Sequence, residues 1–511
     1  MTPANPTTLV GLISSIPDDQ TAIIQPEQNI RISYGSLKRQ VQDVADALAA
    51  AGVNRGDRIG MALPNGLANV VAFLAASMAG TAAPLNPGYK EDEFLFYLED
   101  TNARVLLLPP EGIDDARKAA ATRDVPVLTV DMDANGTVTL SGGTGRKPAA
   151  TPAPTDAALI LHTSGSTGRP KRVPLSHANL SISAGNVARS YALSKDDVSL
   201  CVMPLFHVHG LVASTLATLS TGGTVVVPQK FSPLSFWRTA KEYNATWYSA
   251  VPTIHQLLLA RADKGGARPA GADKLRFIRS CSASLPPQVM HDLEAAFGAP
   301  VLEAYGMTEA AHQMSSNPLP PAQRLPGSVG RGTDVQISIM DPSGKHLAAG
   351  EDGEVVIQGP NVVTGYENNP EANATSFTDG WFRTGDQGFL DENGYLTLTG
   401  RLQEMINRGG EKIAPHEIDE VLLAHPGVGE AVCFGAPHKT WGEEVAAAVV
   451  VRPAGDAGPA ATEQELLAYC KEKLSDFKRP KQIHIVDAIP RTATGKIQRR
   501  VVAEAFAVQT S

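Results

Sequence analysis

The stretch IGMALPNGLANVVAFLAASMAGTAAPLNPGY, residues 59–89, carries no charged side chain. It is long enough for a membrane-spanning helix, which needs about 20 consecutive apolar residues. Its composition is wrong for one. Pro64, Asn65, Asn69, Pro84 and Asn86 interrupt it, and Ala, Gly and Ser dilute it. It reads instead as a buried strand (RIGMAL), a turn, a helix (GLANVVAFLAASMAG) and a second strand (TAAPLN). That reading predicts a layered α/β interior and no membrane partner.

The alternation continues outward. ARVLLLP, GIDDARKAAATRD and VPVLTV read as strand, helix and strand, and GTVVVPQ, LRFIRS and APVLEAY are strands separated by helix-length segments such as PPQVMHDLEAAFG. Alternation on this scale predicts α/β layers with sizeable sheets. After about residue 350, GEVVIQG and GFLDENGYLTLTG predict a small, mostly antiparallel β-region. From RLQEMINRGGEKIAPHEIDEVLLAHPGV onward the pattern becomes compact α+β. The expected fold is therefore a large N-terminal α/β domain (1–402) with layered subdomains and a small β-region, then a small α+β domain (403–511). SGGTGRKPAATPAPTD (141–156) and RPAGDAGPAA (452–461) read as loops.

At 511 residues the chain exceeds one typical core, so two or more domains are expected. Hydrophobic content of 43% and charged content of 19% are those of a globular protein, and a net charge of −9 does not ask for nucleic acid. Basic stretches near the C-terminus, KEKLSDFKRPKQ and KIQRR, could form a patch, but no RNA-binding motif accompanies them. Cys201, Cys281, Cys433 and Cys470 are widely spaced, form no CxxC pair or zinc set, and fit a reducing compartment. The N-terminus lacks the basic region of a signal peptide, and a cytoplasmic location is expected. Nothing in the sequence sets an oligomeric state.

The chemistry starts at LHTSGSTGRPKRVPLSHANL (161–180). An apolar strand breaks into Ser164, Gly165, Ser166, Thr167 and Gly168 and closes on Pro170-Lys171. This is not a P-loop, since GxxxxGK[ST] would need Gly at position 170. The same physics still applies: glycines let backbone N–H groups converge on an anion, hydroxyls add donors, and Lys171 adds charge.

HTSGSTGRPK, PLFHVHG, EAYGMTE, WFRTGD, GRLQEMINRGGEKIAPHEIDE and PRTATGKIQRR then follow in order. Together they resemble the motif series of the adenylate-forming superfamily, which includes acyl-CoA synthetases and 4-coumarate–CoA ligases, from about residue 30 to 505. The resemblance implies a large N-terminal domain, a mobile C-terminal domain, and ATP, Mg²⁺ and coenzyme A as reactants. A substrate carboxylate would attack the α-phosphate to give an acyl-AMP, and a thiol would then displace AMP. Luciferases share these motifs, so a luciferase-like oxidation is a further reading, tested by light emission with a luciferin.

Two unit charges 4 Å apart repel by roughly 4 kcal/mol at an effective dielectric near 20, so cations must offset the meeting of carboxylate and phosphate. By resemblance, Glu309 is the Mg²⁺ ligand with Thr163 beside it, and Thr163, Ser164, Gly165, Ser166, Thr167, Gly168, Lys171 and Thr308 serve the phosphates. Lys496 bridges carboxylate and α-phosphate. Asp386 and Arg401 hold the ribose, while Ser282, Ala283, Ser284, Ala304 and Tyr305 enclose adenine, with Tyr305 stacked on it. Gly409, Gly410 and Lys412 line the thiol tunnel, and Gln403 is the hinge, where the family more often carries Asp or Lys. His207 lies between the acyl pocket and the tunnel. His209 reads as structural.

The acyl pocket draws on His207, Ser280, Ser282, Ser284 and His312. Hydroxyls and imidazoles left unpaired against an alkyl tail would each cost about 1–3 kcal/mol. The pocket therefore suits a short acid with a second polar end. FIRSCSASLPP, EAYGMTEAAHQMSSNPLP and INRGGEKIAPHEID resemble the oxalyl-CoA synthetase branch, which makes oxalate the favoured acid and malonate or a coumarate the alternatives. The two carboxylates are expected to meet His207 and His312 with Ser282 or Ser284, with no arginine counted among the pocket residues and a charged imidazole as partner.

Overall fold

The computed structural model describes residues 7–142, 147–163, 170–262, 267–453, 460–492 and 495–507. The opening stretch is a strand (Arg58–Met61), a helix (Leu67–Ala79) and a strand (Thr81–Pro84), with the two strands parallel. Val70, Val71, Phe73 and Leu74 are completely buried. The helix lacks charge because it is covered all round, not because it meets lipid. Full burial of each large apolar side chain contributes about 1.5–3 kcal/mol. Gly66 precedes this helix at φ 138°, and the buried Gln25 carboxamide accepts from Leu67 N–H (2.9 Å), in place of a Ser or Thr cap. No helix among the described residues is long and apolar enough to cross a membrane.

Among the described residues the strands form four sheets. One has a parallel centre from Val127–Met132 through Ala103–Leu108, Arg58–Met61 and Thr81–Pro84 to Ala157–Thr163, closed by antiparallel Lys171–Ser176. The second runs in parallel through Thr224–Val226, Val198–Cys201, Trp247–Ala250, Phe277–Ser280 and Val301–Met307, then turns antiparallel at His312–Ser316. The expected β-region is an antiparallel sheet of Gln336–Met340, Gly353–Gln358, Phe377–Thr378, Trp381–Leu390 and Leu396–Arg401.

The fourth sheet joins Ile406–Arg408, Glu411–Ile413, Val428–His438, Gly442–Val451 and Gln482–Ile485. It has its own apolar clusters, one of them built around Ile418, Leu422, Val445, Ala447, Val449 and Leu466. Helix Glu463–Lys473 closes over this sheet. Its start is a capping box, in which Thr462 and Glu465 exchange side-chain and backbone hydrogen bonds.

Candidate functional site

The ends of the phosphate loop are fixed by strand pairing: Thr163 and Lys171 are register partners on the Ala157–Thr163 and Lys171–Ser176 strands. Ser164, Gly165, Ser166, Thr167 and Gly168 lie outside the described residues. Thr163 Oγ1 donates to Glu309 Oε1 (3.3 Å), which brings the loop to the turn Thr308–Ala310 at the end of strand Val301–Met307. Tyr366, absent from the expected set, donates its hydroxyl to the same Oε1 (2.8 Å), and Lys171 Nζ lies 4.7 Å from the centre of its ring. Glu309 is buried and has no ion-pair partner among the described residues. No group of three or more His, Cys, Asp or Glu is assembled among them. One unpaired carboxylate flanked by hydroxyls fits Mg²⁺, which takes one or two carboxylates and fills its shell with phosphate and water oxygens.

A second cluster lies on the β-region. Asp386 and Arg401 are register partners, with Arg401 Nε 2.8 Å from Asp386 Oδ1, and Tyr305 donates its hydroxyl to Asp386 Oδ2. Ala304 is buried beside Tyr305. Lys496 is half-buried; desolvation and the Arg401 guanidinium lower its pKa, while Asp386, Glu404 and Glu309 raise it. The C-terminal lysine therefore shares the field of both clusters. Arg491 Nη1 and Thr253 Oγ1 meet at 3.1 Å, and Thr253 Oγ1 donates to Gly495 O (3.3 Å), which holds the Lys496 turn against helix Pro252–Leu259.

Gly409 (φ 59°) and Gly410 (φ 98°) form the turn between strands Ile406–Arg408 and Glu411–Ile413. A side chain at Gly409 would meet the Trp441 ring at 2.7 Å, whereas Gly410 has open space around it. The Lys412 side chain lies outside the described residues, and Gln403 is exposed.

The acyl pocket departs most from expectation. Arg279, the arginine of FIRS, is completely buried. It donates to Tyr191 Oη (2.9 Å), Ser249 Oγ (2.9 Å) and Gln313 Oε1 (3.0 Å). Its Nη1 is 3.4 Å from His209 Nε2 and its Nη2 is 3.5 Å from His312 Nδ1. This corrects the expectation of a pocket without arginine. His209, read as structural, is buried in the same network: its Nδ1 lies 3.0 Å from Ser282 Oγ and its Nε2 lies 2.6 Å from Ser249 Oγ.

A guanidinium only donates. The His209 and His312 nitrogens facing it must therefore accept, which places the proton on His209 Nδ1 and His312 Nε2. Burial, then the charge of Arg279, holds both imidazoles well below the usual histidine range, and burial lowers His207 to about 4. The charged imidazole is thus replaced by neutral donors around one permanent cation. Among the described residues no carboxylate pairs with Arg279, and the groups it bonds are neutral. Ser282 (φ 72°) and His312 (φ 129°) both occupy the left-handed half of backbone space, a strain that collects at functional sites. Ser282, Ala283 and Ser284 are exposed, and the structure does not bring Ser284 to the histidines. Ser280 Oγ is buried without a partner among the described residues.

The AMP-binding enzyme family matches residues 14–367, and the AMP-binding enzyme C-terminal domain matches residues 417–496. The chain belongs to this family. It is 46% identical to an oxalate–CoA ligase of Arabidopsis thaliana, over 98% of this chain and 98% of that one. It is 42% identical to an oxalate–CoA ligase of Saccharomyces cerevisiae, over 96% and 95%. The crystal structure of ATP-bound MatB from Rhodopseudomonas palustris superposes with a TM-score of 0.90 at 32% identity, covering 99% of each chain. The adenylate-forming class and the layered α/β architecture both stand.

Proposed function

We propose that the protein is an oxalate–CoA ligase that forms oxalyl-AMP from oxalate and ATP, releases pyrophosphate, and transfers the oxalyl group to coenzyme A. The observation that carries the choice of acid is Arg279. A buried charge without an opposite partner is costly. A substrate with a second carboxylate supplies that partner, and a monocarboxylate with an alkyl tail does not. His209 links the guanidinium to the exposed Ser282, and the proton on His312 Nε2 provides a second donor. The family relationship to two oxalate–CoA ligases supports the same acid.

In this reading the other carboxylate of oxalate attacks the α-phosphorus. Lys171 and Lys496 offset the charge that gathers there, Asp386 and Arg401 take the ribose hydroxyls, and Tyr305 and Ala304 border the adenine. Glu309 and Thr163 hold Mg²⁺, which screens the phosphate charge when bound. The CoA thiol then attacks the acyl carbon and AMP leaves. We assign residues 1–402 and 403–511 to two domains that turn about Gln403, bringing Gly409, Gly410 and Lys412 toward the thiol. Support comes from the separate apolar clusters of the C-terminal sheet and from the place of Lys496 beside Arg401. Four buried free thiols fit a cytoplasmic location.

Acid-dependent pyrophosphate release, measured with and without CoA for oxalate, malonate, 4-coumarate and octanoate, tests the proposal. Oxalate should give the highest kcat/KM. Equal use of oxalate and octanoate would overturn it.

A further inference from the structure

We propose that Tyr366 is a positioning residue of the triphosphate site: its hydroxyl orients the Glu309 carboxylate toward the metal, and its ring holds the Lys171 ammonium over the same space. This role rests on the reading of Glu309 as the Mg²⁺ ligand.

The segment that carries Tyr366 is tied to both sides of the site. Val363 N–H donates to Glu309 O (2.8 Å) and Asn361 Nδ2 donates to Ala310 O (2.8 Å), which fastens residues 361–363 to the Glu309 turn. Glu367 N–H donates to Arg172 O (3.0 Å), one residue beyond Lys171. Asn373 exchanges hydrogen bonds with the Tyr366 backbone, accepting from its N–H (2.7 Å) and donating to its carbonyl (2.9 Å). The ring is buried, with Phe382 edge-on at 6.3 Å. Tyr366 is therefore fixed at its backbone and at its ring before any ligand arrives.

The hydroxyls of Thr163 and Tyr366 both donate to Glu309 Oε1, and Oε2 receives no hydrogen bond among the described residues. This division leaves one carboxylate oxygen satisfied by protein and one for a cation. On the other face of the arrangement, the ring attracts the Lys171 ammonium. Lys171 has no carboxylate partner among the described residues, so its charge remains available to an anion.

The test is binding of α,β-methylene-ATP by calorimetry, in excess Mg²⁺ and in EDTA, for the wild type and for Y366F, Y366L and E309Q. The readout is the ratio of the two dissociation constants within each protein, which no turnover enters. The wild type should bind more tightly in Mg²⁺. E309Q should lose most of that gain. Y366F, which keeps the ring, should lose about tenfold of the gain, the usual scale of a hydrogen bond to a charged group, with binding in EDTA unchanged. Y366L should lose the same gain and also bind more weakly in EDTA, because Lys171 loses its support. If E309Q loses the gain and Y366F keeps all of it, the role of Tyr366 is overturned and Glu309 stands. If E309Q keeps the full gain, the metal reading falls and the role of Tyr366 falls with it.

Discussion

The proposed ATP side and the proposed acid pocket are built by opposite means for the same task, holding an anion in a protein. On the ATP side Asp386 faces Arg401, Glu309 faces hydroxyls, and Lys171 and Lys496 stand at the cleft. Charges of both signs lie together there, so a charged ligand can redistribute them. In the acid pocket one buried cation, Arg279, is surrounded by neutral groups drawn from separate elements. The first arrangement can serve two steps in succession. The second is suited to recognising one shape and charge, because a buried guanidinium cannot be rescued by water.

The largest effect is expected on the ATP side. Lys496→Ala is expected to reduce oxalate-dependent ATP–pyrophosphate exchange by about 10²–10³-fold, while supplied acyl-adenylate is still converted to the thioester. Gly410→Leu should do the reverse, since a side chain there narrows the path of the thiol. Equal loss of both steps in both folded variants would show that the two sides do not work in turn.

Arg279→Met tests the rigid side. It should lower kcat/KM for oxalate by about 10²-fold or more, with the KM for ATP nearly unchanged. Apo stability should change little, because relief from burying a charge with no carboxylate partner among the described residues is set against loss of the bonds to Tyr191, Ser249 and Gln313. Arg279→Lys should not restore activity, since an ammonium lacks the planar fork that reaches Tyr191, Ser249 and Gln313 together. A variant that uses oxalate normally would erase the contrast.

His312→Ala should be milder, raising the KM for oxalate about tenfold with little change for ATP, and His312→Leu should shift preference toward monocarboxylates. Unchanged oxalate kinetics would remove the imidazole from the set of donors and leave Arg279 to act without it.

The smallest effect is a flat profile. Because burial keeps His207, His209 and His312 neutral, kcat/KM for oxalate should show no histidine-like step between about pH 6 and 8. Stability should change instead. His177, His207 and His255 are lowered by burial to about 4, so the unfolded chain binds more protons below its own histidine pKa near 6.5. Stability should fall as pH drops from about 6.5 toward 4. Glu303, raised by burial to about 8, opposes this with one group against several. Thermal melts across that range check the sign.

The fold was legible where a local period decides it. Residues 59–89 announce a buried strand–helix–strand unit by losing charge and keeping Pro and Asn at the turns. The groups expected on the ATP side sit in short contiguous runs, and the structure brings Thr163 to Glu309 and Tyr305 and Arg401 to Asp386. Arg279 was not, although FIRS was in view. A single arginine in a strand reads as an outward-facing residue, and its partners Tyr191, Ser249, His209 and Gln313 come from distant parts of the chain. Tyr366 was missed for a similar reason: its role depends on Glu309, 57 residues away in sequence. Neither the left-handed backbone of Ser282 and His312 nor the π-helical turn over His209–Leu216 has a local sequence signal.

The four thiols offer a use beyond compartment. All are buried, and burial raises Cys201 and Cys470 to about 11. A thiol reagent reaches such groups only through transient opening, since it needs both access and the thiolate. Cys201 lies in the parallel sheet before the β-region and Cys281 directly follows its strand Phe277–Ser280, whereas Cys433 and Cys470 lie in the C-terminal sheet and its covering helix. Alkylation followed residue by residue would therefore time the opening of the two parts separately, with no residue substituted beforehand.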